Sequence, residues 1–258
     1  MEIRLVTHGV SRTVAVTMRT PGNDFELAAG FLHGEGVIGS REDLAQITYC
    51  VDPGVDAAQQ YNIVNVTLRP DAAPDLAPLD RHFTISSACG VCGKASLDAL
   101  QLRSCPVILP GPEVPVEVLY GLPDTLQQAQ GVFRKTGGLH AAALFDENGQ
   151  LLALREDVGR HNALDKLVGW ALMEGKLPLS QGILLVSGRS SFEILQKSLA
   201  AGLPIVCAIS APSSLAVDLA RQFGITLVGF LRDERCNVYT SRERIVLSKE
   251  ETEKKKEG

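Results

Sequence analysis

Apolar and polar positions alternate along the chain with a regularity that changes near its middle. In the first hundred residues, Thr13-Val14-Ala15-Val16-Thr17-Met18 is rich in β-branched residues and predicts a strand. Asn23-Asp24-Phe25-Glu26 reads as a capping box opening a helix that runs to about His33. Ser40-Arg41-Glu42-Asp43 reads as a second, shorter start, and Tyr61 to Leu68 as another strand. Pro70, Pro74 and Pro78 mark a loop. Pro106, Pro110, Pro112 and Pro115 mark a connector and the candidate domain boundary.

The second half is more periodic. Asp124 to Arg134 predicts a helix that stops near Gly137-Gly138. Leu139 to Phe145, the turn Asp146-Glu147-Asn148-Gly149 and Gln150 to Arg155 read as a hairpin, followed by a helix from about Arg160 to Met173. Short apolar runs then alternate with helical patterns. The strands are Ile183 to Val186, Pro204 to Ile209 and Ile225 to Phe230; the helices are Ser190 to Ala201 and Ser213 to Phe223. This alternation predicts an α/β domain with helices covering a sheet. The expected organisation is an α+β part over 1–110, an α/β domain over 111–248, and a disordered, nearly all-charged tail over 249–258.

Composition narrows the function classes. With 258 residues, 45% of them hydrophobic, the chain can bury a sizeable core. A net charge of -5 gives no general basic surface for nucleic acid. Met1-Glu2-Ile3-Arg4-Leu5-Val6 lacks the basic-then-apolar pattern of a signal peptide, and no apolar run is long enough to span a bilayer. The expected setting is therefore the cytoplasm, where thiols stay reduced and serve catalysis, transport or metal binding.

Ser86-Ser87-Ala88-Cys89-Gly90-Val91-Cys92-Gly93-Lys94 carries the sharpest chemistry. Two cysteines two residues apart stand among glycines, beside Lys94 and before a predicted helix. Positive charge and a helix N-terminus both favour the thiolate. Rival readings are a zinc site completed by His82 and Cys105, and a thioredoxin-type redox pair. The remaining cysteines, Cys50, Cys105, Cys207 and Cys236, form no second pair.

Three further clusters stand out. Arg155 to Lys166 packs seven ionisable residues around a strand-to-helix junction. Asp157 or Asn162 can simply cap that helix; the functional reading is a ligand pocket at a sheet end. Ser187-Gly188-Arg189-Ser190-Ser191-Phe192-Glu193 again lies between strand and helix. Ser190 with Glu193 reads as a capping box, and the same helix start can take a phosphate, but the segment is no Walker loop. Phe230-Leu231-Arg232-Asp233-Glu234-Arg235 ends the last strand; its arginines can fork onto phosphates or be solvated loop charges.

Four stretches together resemble the FdhD/NarQ family of formate dehydrogenase accessory sulfurtransferases. They are Cys89 to Gly93, Thr136-Gly137-Gly138-Leu139-His140-Ala141-Ala142, the Glu156 to Lys166 run and Ser187 to Lys197. The resemblance covers nearly the whole chain. It implies a protein that receives sulfur from a cysteine desulfurase as a persulfide. Such a protein passes the sulfur to the molybdenum cofactor, bis-molybdopterin guanine dinucleotide, before the cofactor enters formate dehydrogenase. By resemblance Cys89 is the persulfide carrier, Cys92 assists, the cofactor segment falls on Phe230, Leu231, Arg232, Asp233, Glu234 and Arg235, and the protein is a homodimer. GDP is the expected analogue, its phosphates near Ser190 or near Arg232 and Arg235. Asp157, Arg160 and His161 are expected to line the pocket without binding metal.

The family's C-terminal part resembles the cytidine deaminase fold. Zinc deaminases need His-x-Glu and then Pro-Cys-x-x-Cys. Here His140 precedes Ala141-Ala142, His161 precedes Asn162-Ala163, and Ser187 to Ser190 holds no cysteine. The expected domain is three-layered and lacks the zinc site. The alternative is a zinc-stabilised or nucleotide-binding chaperone that shelters the cofactor without transferring sulfur. A reductase cycling a Cys89–Cys92 disulfide is the third reading.

Overall fold

A computed structural model describes residues 1–72, 74, 76 and 108–247. The predicted tail over 249–258 lies outside the described residues, as do Cys89 and Cys92.

The second half is built on a six-stranded sheet. Its strands are β6 (His140–Phe145), β7 (Leu151–Asp157), β8 (Ile183–Val186), β9 (Ile205–Ala208), β10 (Thr226–Arg232) and β11 (Arg235–Val238), in the order β11-β10-β9-β8-β6-β7. β8, β9 and β10 run parallel; β6 is antiparallel to both β7 and β8. The run Ile183-Leu184-Leu185-Val186 is apolar throughout because the sheet is covered on both faces. Ala142, Leu144, Leu184, Val186, Val206 and Leu227 face one core. That core is closed by α5 (Arg160–Met173), α6 (Phe192–Ala200) and α7 (Ser214–Phe223). Ala141, Ala143, Phe145, Ile183, Leu185 and Val228 face the other, closed by α3 (Val116–Ala129) through Leu119, Leu122 and Leu126.

The first half forms a four-stranded sheet of order β2-β1-β4-β3: β1 (Glu2–Thr7), β2 (Val10–Val16), β3 (Leu44–Tyr49) and β4 (Ile63–Leu68). The helix α1 (Asp24–Gly34) lies against it through Ala28, Ala29 and Leu32, beside Ile3, Leu5, Val64 and Val66. A short helix α2 (Ala57–Gln60) precedes β4, and a two-stranded pairing joins β5 (Val114–Pro115) to β12 (Ile245–Val246).

The opposite face of α1 crosses α5. A Cβ on Gly30 would lie 1.8 Å from the Asp165 carbonyl oxygen, and one on Gly169 1.8 Å from the Glu26 carbonyl oxygen. Only two glycines let the helix backbones touch this closely. Arg155 adds a paired contact to Glu26, 2.7 Å at its second nitrogen.

Three local expectations are corrected. The helix expected over 124–134 starts at Val116, where Pro115 with φ -57 stands at the entry, and ends at Ala129. A separate one-turn helix, α4 (Phe133–Thr136), follows. The capping box at α1 is not made: Asn23 is left-handed with φ 57 and caps nothing through its side chain. Glu26, whose carboxylate the box would use, is engaged elsewhere by Arg155. At α6 the cap is Ser191, whose Oγ accepts from Ile194 N; Ser190 is fully buried instead. The strand β1 went unread, although the alternation of buried Ile3 and Leu5 was its signal.

Candidate functional site

Strands β7, β8, β9 and β10 all end at the same edge of the large sheet, and α5, α6 and α7 begin there. The orphan N–H groups of three helices therefore converge where a doubly covered sheet opens, a common place for an anionic ligand. The lead-ins to α6 and α7 are bound together by a bridge between Ser190 and Pro212 and by Ser213 N donating to Ser190 O at 2.9 Å.

His161, in the first turn of α5, meets residues of α6 thirty positions away. Its Nε2 is 3.1 Å from Ser191 Oγ and its Nδ1 is 3.3 Å from Glu193 Oε2. With Nδ1–H directed at the carboxylate, Nε2 is left to accept the serine hydroxyl. Burial pushes the His161 pKa below the ordinary histidine value; Arg160, Lys197 and His140 push the same way, against Glu193. His140, first in β6, is lowered by burial and then by Arg160. The missing side chain of Gly188 leaves room for both: a Cβ there would be 3.3 Å from His140 Nδ1 and 4.0 Å from Arg160 Cδ.

Two polar atoms at this edge, Arg160 Nε and Ser190 Oγ, are buried without a hydrogen-bond partner among the described residues. Native proteins rarely leave such groups unpaired, and a ligand site is one of the few physical reasons to do so.

The charged run that opens α5 divides into two. Asp157 is fully buried and turned away from Arg160 onto Lys166, 2.7 Å distant. It also accepts from Thr20 N at 3.0 Å, Gly159 N at 2.9 Å and Asn162 Nδ2 at 3.1 Å. Lys166 Nζ donates to Thr20 O at 2.8 Å, and Asn162 Nδ2 to Met18 O at 2.7 Å. These three side chains clasp the segment joining β2 to α1. Arg160 and His161 take no part in this clasp. Glu156 holds the entry to α4, accepting from Val132 N at 3.0 Å and Phe133 N at 2.8 Å.

Phe230 to Arg235 forms the tip of the β10–β11 hairpin at this same edge; Phe230 N donates to Ser210 O just beyond β9. Arg232 pairs with Arg235, and Asp233 and Glu234 both have positive φ, as a tight two-residue hairpin turn requires. Arg232, Asp233, Glu234 and Arg235 are exposed. Phe230 is partly exposed at φ 54, a strained conformation for an aromatic residue. Leu231 differs from its neighbours: it is fully buried in the core beside Val228, so its side chain faces away from solvent.

Ser191 and Glu193, the partners of His161, lie in the Ser187 to Glu193 stretch whose sequence reads as a cap or a phosphate-binding helix start; nothing in that pattern pointed to His161 as their partner. Below them lies a buried ion pair, Lys197 Nζ to Asp165 Oδ1 at 2.8 Å. Among the described residues no group of three His, Cys, Asp or Glu side chains is placed to hold a metal ion, and no helix is long and apolar enough to cross a membrane.

Comparison with known proteins bears on the whole chain. Over 250 residues it is 54% identical to the sulfur carrier protein FdhD of Streptomyces avermitilis, covering 96% of this chain and 87% of that one. Similarity extends to the sulfur carrier protein FdhD of Sulfurisphaera tokodaii, 46% identical over 235 residues, covering 91% of this chain and 85% of that one. A crystal structure of a candidate formate dehydrogenase accessory protein from Desulfotalea psychrophila superposes with a TM-score of 0.69 at 26% identity, covering 95% of this chain and 89% of that one. The FdhD/NarQ family pattern itself matches residues 1–246, across both sheets and the helices between them: the chain belongs to the FdhD/NarQ family.

Proposed function

We propose that this protein carries sulfur as a persulfide on Cys89, with Cys92 assisting, and delivers it to bis-molybdopterin guanine dinucleotide held at the open edge of the large sheet. Family membership makes the protein a sulfurtransferase of molybdenum cofactor maturation for formate dehydrogenase. The carrier thiol, the ligand pocket and its residues are this reading.

The observation that carries the pocket is the pair of buried polar atoms, Arg160 Nε and Ser190 Oγ, that have no hydrogen-bond partner among the described residues, where three helix N-termini converge. A guanine nucleotide suits that donor set. Arg160, Arg232 and Arg235 supply guanidinium donors for phosphate oxygens. Neutral His161 and His140 supply ring nitrogens for a base or sugar without adding charge. Phe230, partly exposed and fixed by its backbone, offers a face for stacking. Asp157 acts from behind, by fixing the start of α5.

In this reading the second half is a cytidine deaminase-like domain whose zinc-binding positions have become ligand-binding ones. The reading takes the helix starts at His161 and after Ser187 to Ser190 as the counterparts of the deaminase ligand positions; the second holds no cysteine, and neither His140 nor His161 has a glutamate two residues on. The reading puts the boundary with the first part near residue 110. The partners are a cysteine desulfurase, formate dehydrogenase and a second copy of the chain, in the cytoplasm.

Two measurements on one preparation test this. After incubation with a cysteine desulfurase and cysteine, mass spectrometry should find one added sulfur on Cys89, and none in Cys89→Ala. Calorimetry should show GDP binding that His161→Ala weakens while sulfur loading stays intact. Bound zinc with no sulfur gain, or full dehydrogenase maturation by Cys89→Ala, overturns the carrier assignment.

A further inference from the structure

Beneath the site, α5 and α6 face each other through a two-rung ladder of charged groups. His161 and Asp165 are one turn apart on α5; Glu193 and Lys197 are one turn apart on α6. The upper rung is His161 Nδ1 to Glu193 Oε2 at 3.3 Å, and the lower is Asp165 Oδ1 to Lys197 Nζ at 2.8 Å. The lower rung is almost wholly removed from water, its side chains 3% and 2% exposed. Glu35, just past the end of α1, completes it at 3.8 Å from Lys197 Nζ, and the Phe31 ring centroid lies 5.4 Å from the same atom.

The space for this pair is built in. A Cβ on Gly34 would stand 3.1 Å from Lys197 Nζ and 3.6 Å from Asp165 Oδ1. Stability alone gives little reason to keep such a pair, since well-packed apolar residues of similar volume usually serve a core as well or better. One helical turn away along both helices stands His161, whose charge state decides what its ring can do for a ligand.

We propose that Lys197 and Asp165 are positioning residues for His161, the Asp165-anchored ammonium keeping a fixed positive charge beneath the imidazole so that the ring stays neutral and holds one tautomer. Asp165 anchors the charge; Lys197 exerts the effect. Among the described residues, the charged and titratable groups that act on His161 are Glu193 and Lys197 from α6, Arg160 from its own helix and His140 from β6; Glu193 favours protonation and the other three oppose it. The Lys197 ammonium itself is secure. Burial opposes its charge, but Asp165, Glu35 and Glu193 together outweigh burial and raise its pKa. Asp165 is raised to about 6, first by burial, so it takes up a proton readily once Lys197 is gone.

The proposal rests on the reading of His161 as a ligand-facing residue, and the test separates the two. The ring titration of His161 is followed by NMR in the full-length protein, alongside GDP binding by calorimetry across the same pH range. Lys197→Met should move the His161 midpoint to higher pH. Glu193→Gln, at a half-exposed position, should move it to lower pH. Because Asp165 takes up a proton in the first variant anyway, Lys197→Met/Asp165→Asn should repeat the upward shift without a lone buried charge to unfold the protein. A folded variant lacking Lys197 whose His161 midpoint stays in place overturns the proposal. A midpoint that rises while GDP affinity and its pH profile stay unchanged upholds the positioning pair and removes His161 from the ligand site.

Discussion

Gly169→Ala tests the crossing that joins the two sheets' helices. The added Cβ would lie 1.8 Å from the Glu26 carbonyl oxygen and 2.8 Å from Gly30 N, all backbone atoms that cannot rotate away. Restoring even 3.0 Å requires α1 and α5 to part by more than an ångström. Overpacking of this kind costs about 1–3 kcal/mol, and a gap of that width forfeits much of the dispersion energy along the crossing. Alanine's better helix propensity returns roughly 1 kcal/mol. With the clash at the upper end of that range, the net loss is about 2 kcal/mol, or roughly 4–8 °C in Tm for a chain of this size. Thermal and urea melts of Gly169→Ala and Gly30→Ala should both show it, and the double variant should lose less than the sum, because the helices have already separated. Gly121→Ala is the control. It lies exposed within α3 with nothing within 4 Å of its Cβ position, and should hold or gain stability. If Gly169→Ala melts at or above the native protein while Gly121→Ala behaves as expected, the helix backbones are not in contact and the reasoning fails.

Asp157→Ala should cost about 3–5 kcal/mol, because it strands the buried Lys166 ammonium; native-like melting with lost GDP binding would instead make Asp157 a ligand contact. Ser191→Ala removes the cap of α6 and should cost about 1 kcal/mol by denaturant titration. His33 is pushed below the ordinary histidine value by burial, against two carbonyl oxygens that favour its charge. Its folded pKa is the depressed one, so its contribution to stability is present above the unfolded value of 6.5 and is lost as pH falls through the folded value. Asp165, raised to about 6, acts in the opposite sense, favouring the fold at low pH and losing that contribution as pH rises through about 6. Denaturant melts between pH 7 and pH 5 should therefore fall less steeply in His33→Gln than in the native protein; equal slopes would show that His33 does not take part.

The apolar pattern by itself determined the large sheet and most of its helices. Runs such as Ile183-Leu184-Leu185-Val186 and Ile205-Val206-Cys207-Ala208 are apolar at every position, which only a strand covered on both faces accommodates, and the segment Arg160 to Met173 carried its helix unaided. The glycine-flanked cysteines and the missing deaminase ligands were equally plain, because covalent chemistry depends on residue type. What only the tertiary structure decided is where polar side chains point. Asp157 and Arg160 are three positions apart, yet one is sealed onto Lys166 and the other keeps a buried Nε with no hydrogen-bond partner among the described residues; His161 finds Ser191 and Glu193 from another helix; Leu231 turns into the core between exposed neighbours. Burial leaves a period of two or 3.6 in the order of residues. A carboxylate or imidazole leaves no such trace of its partner, because the partner is chosen by how distant helices pack: the α1–α5 crossing, where Gly30 and Gly169 let the backbones touch, brings Glu26 to Arg155, and the packing of α5 on α6 brings His161 to Ser191 and Glu193.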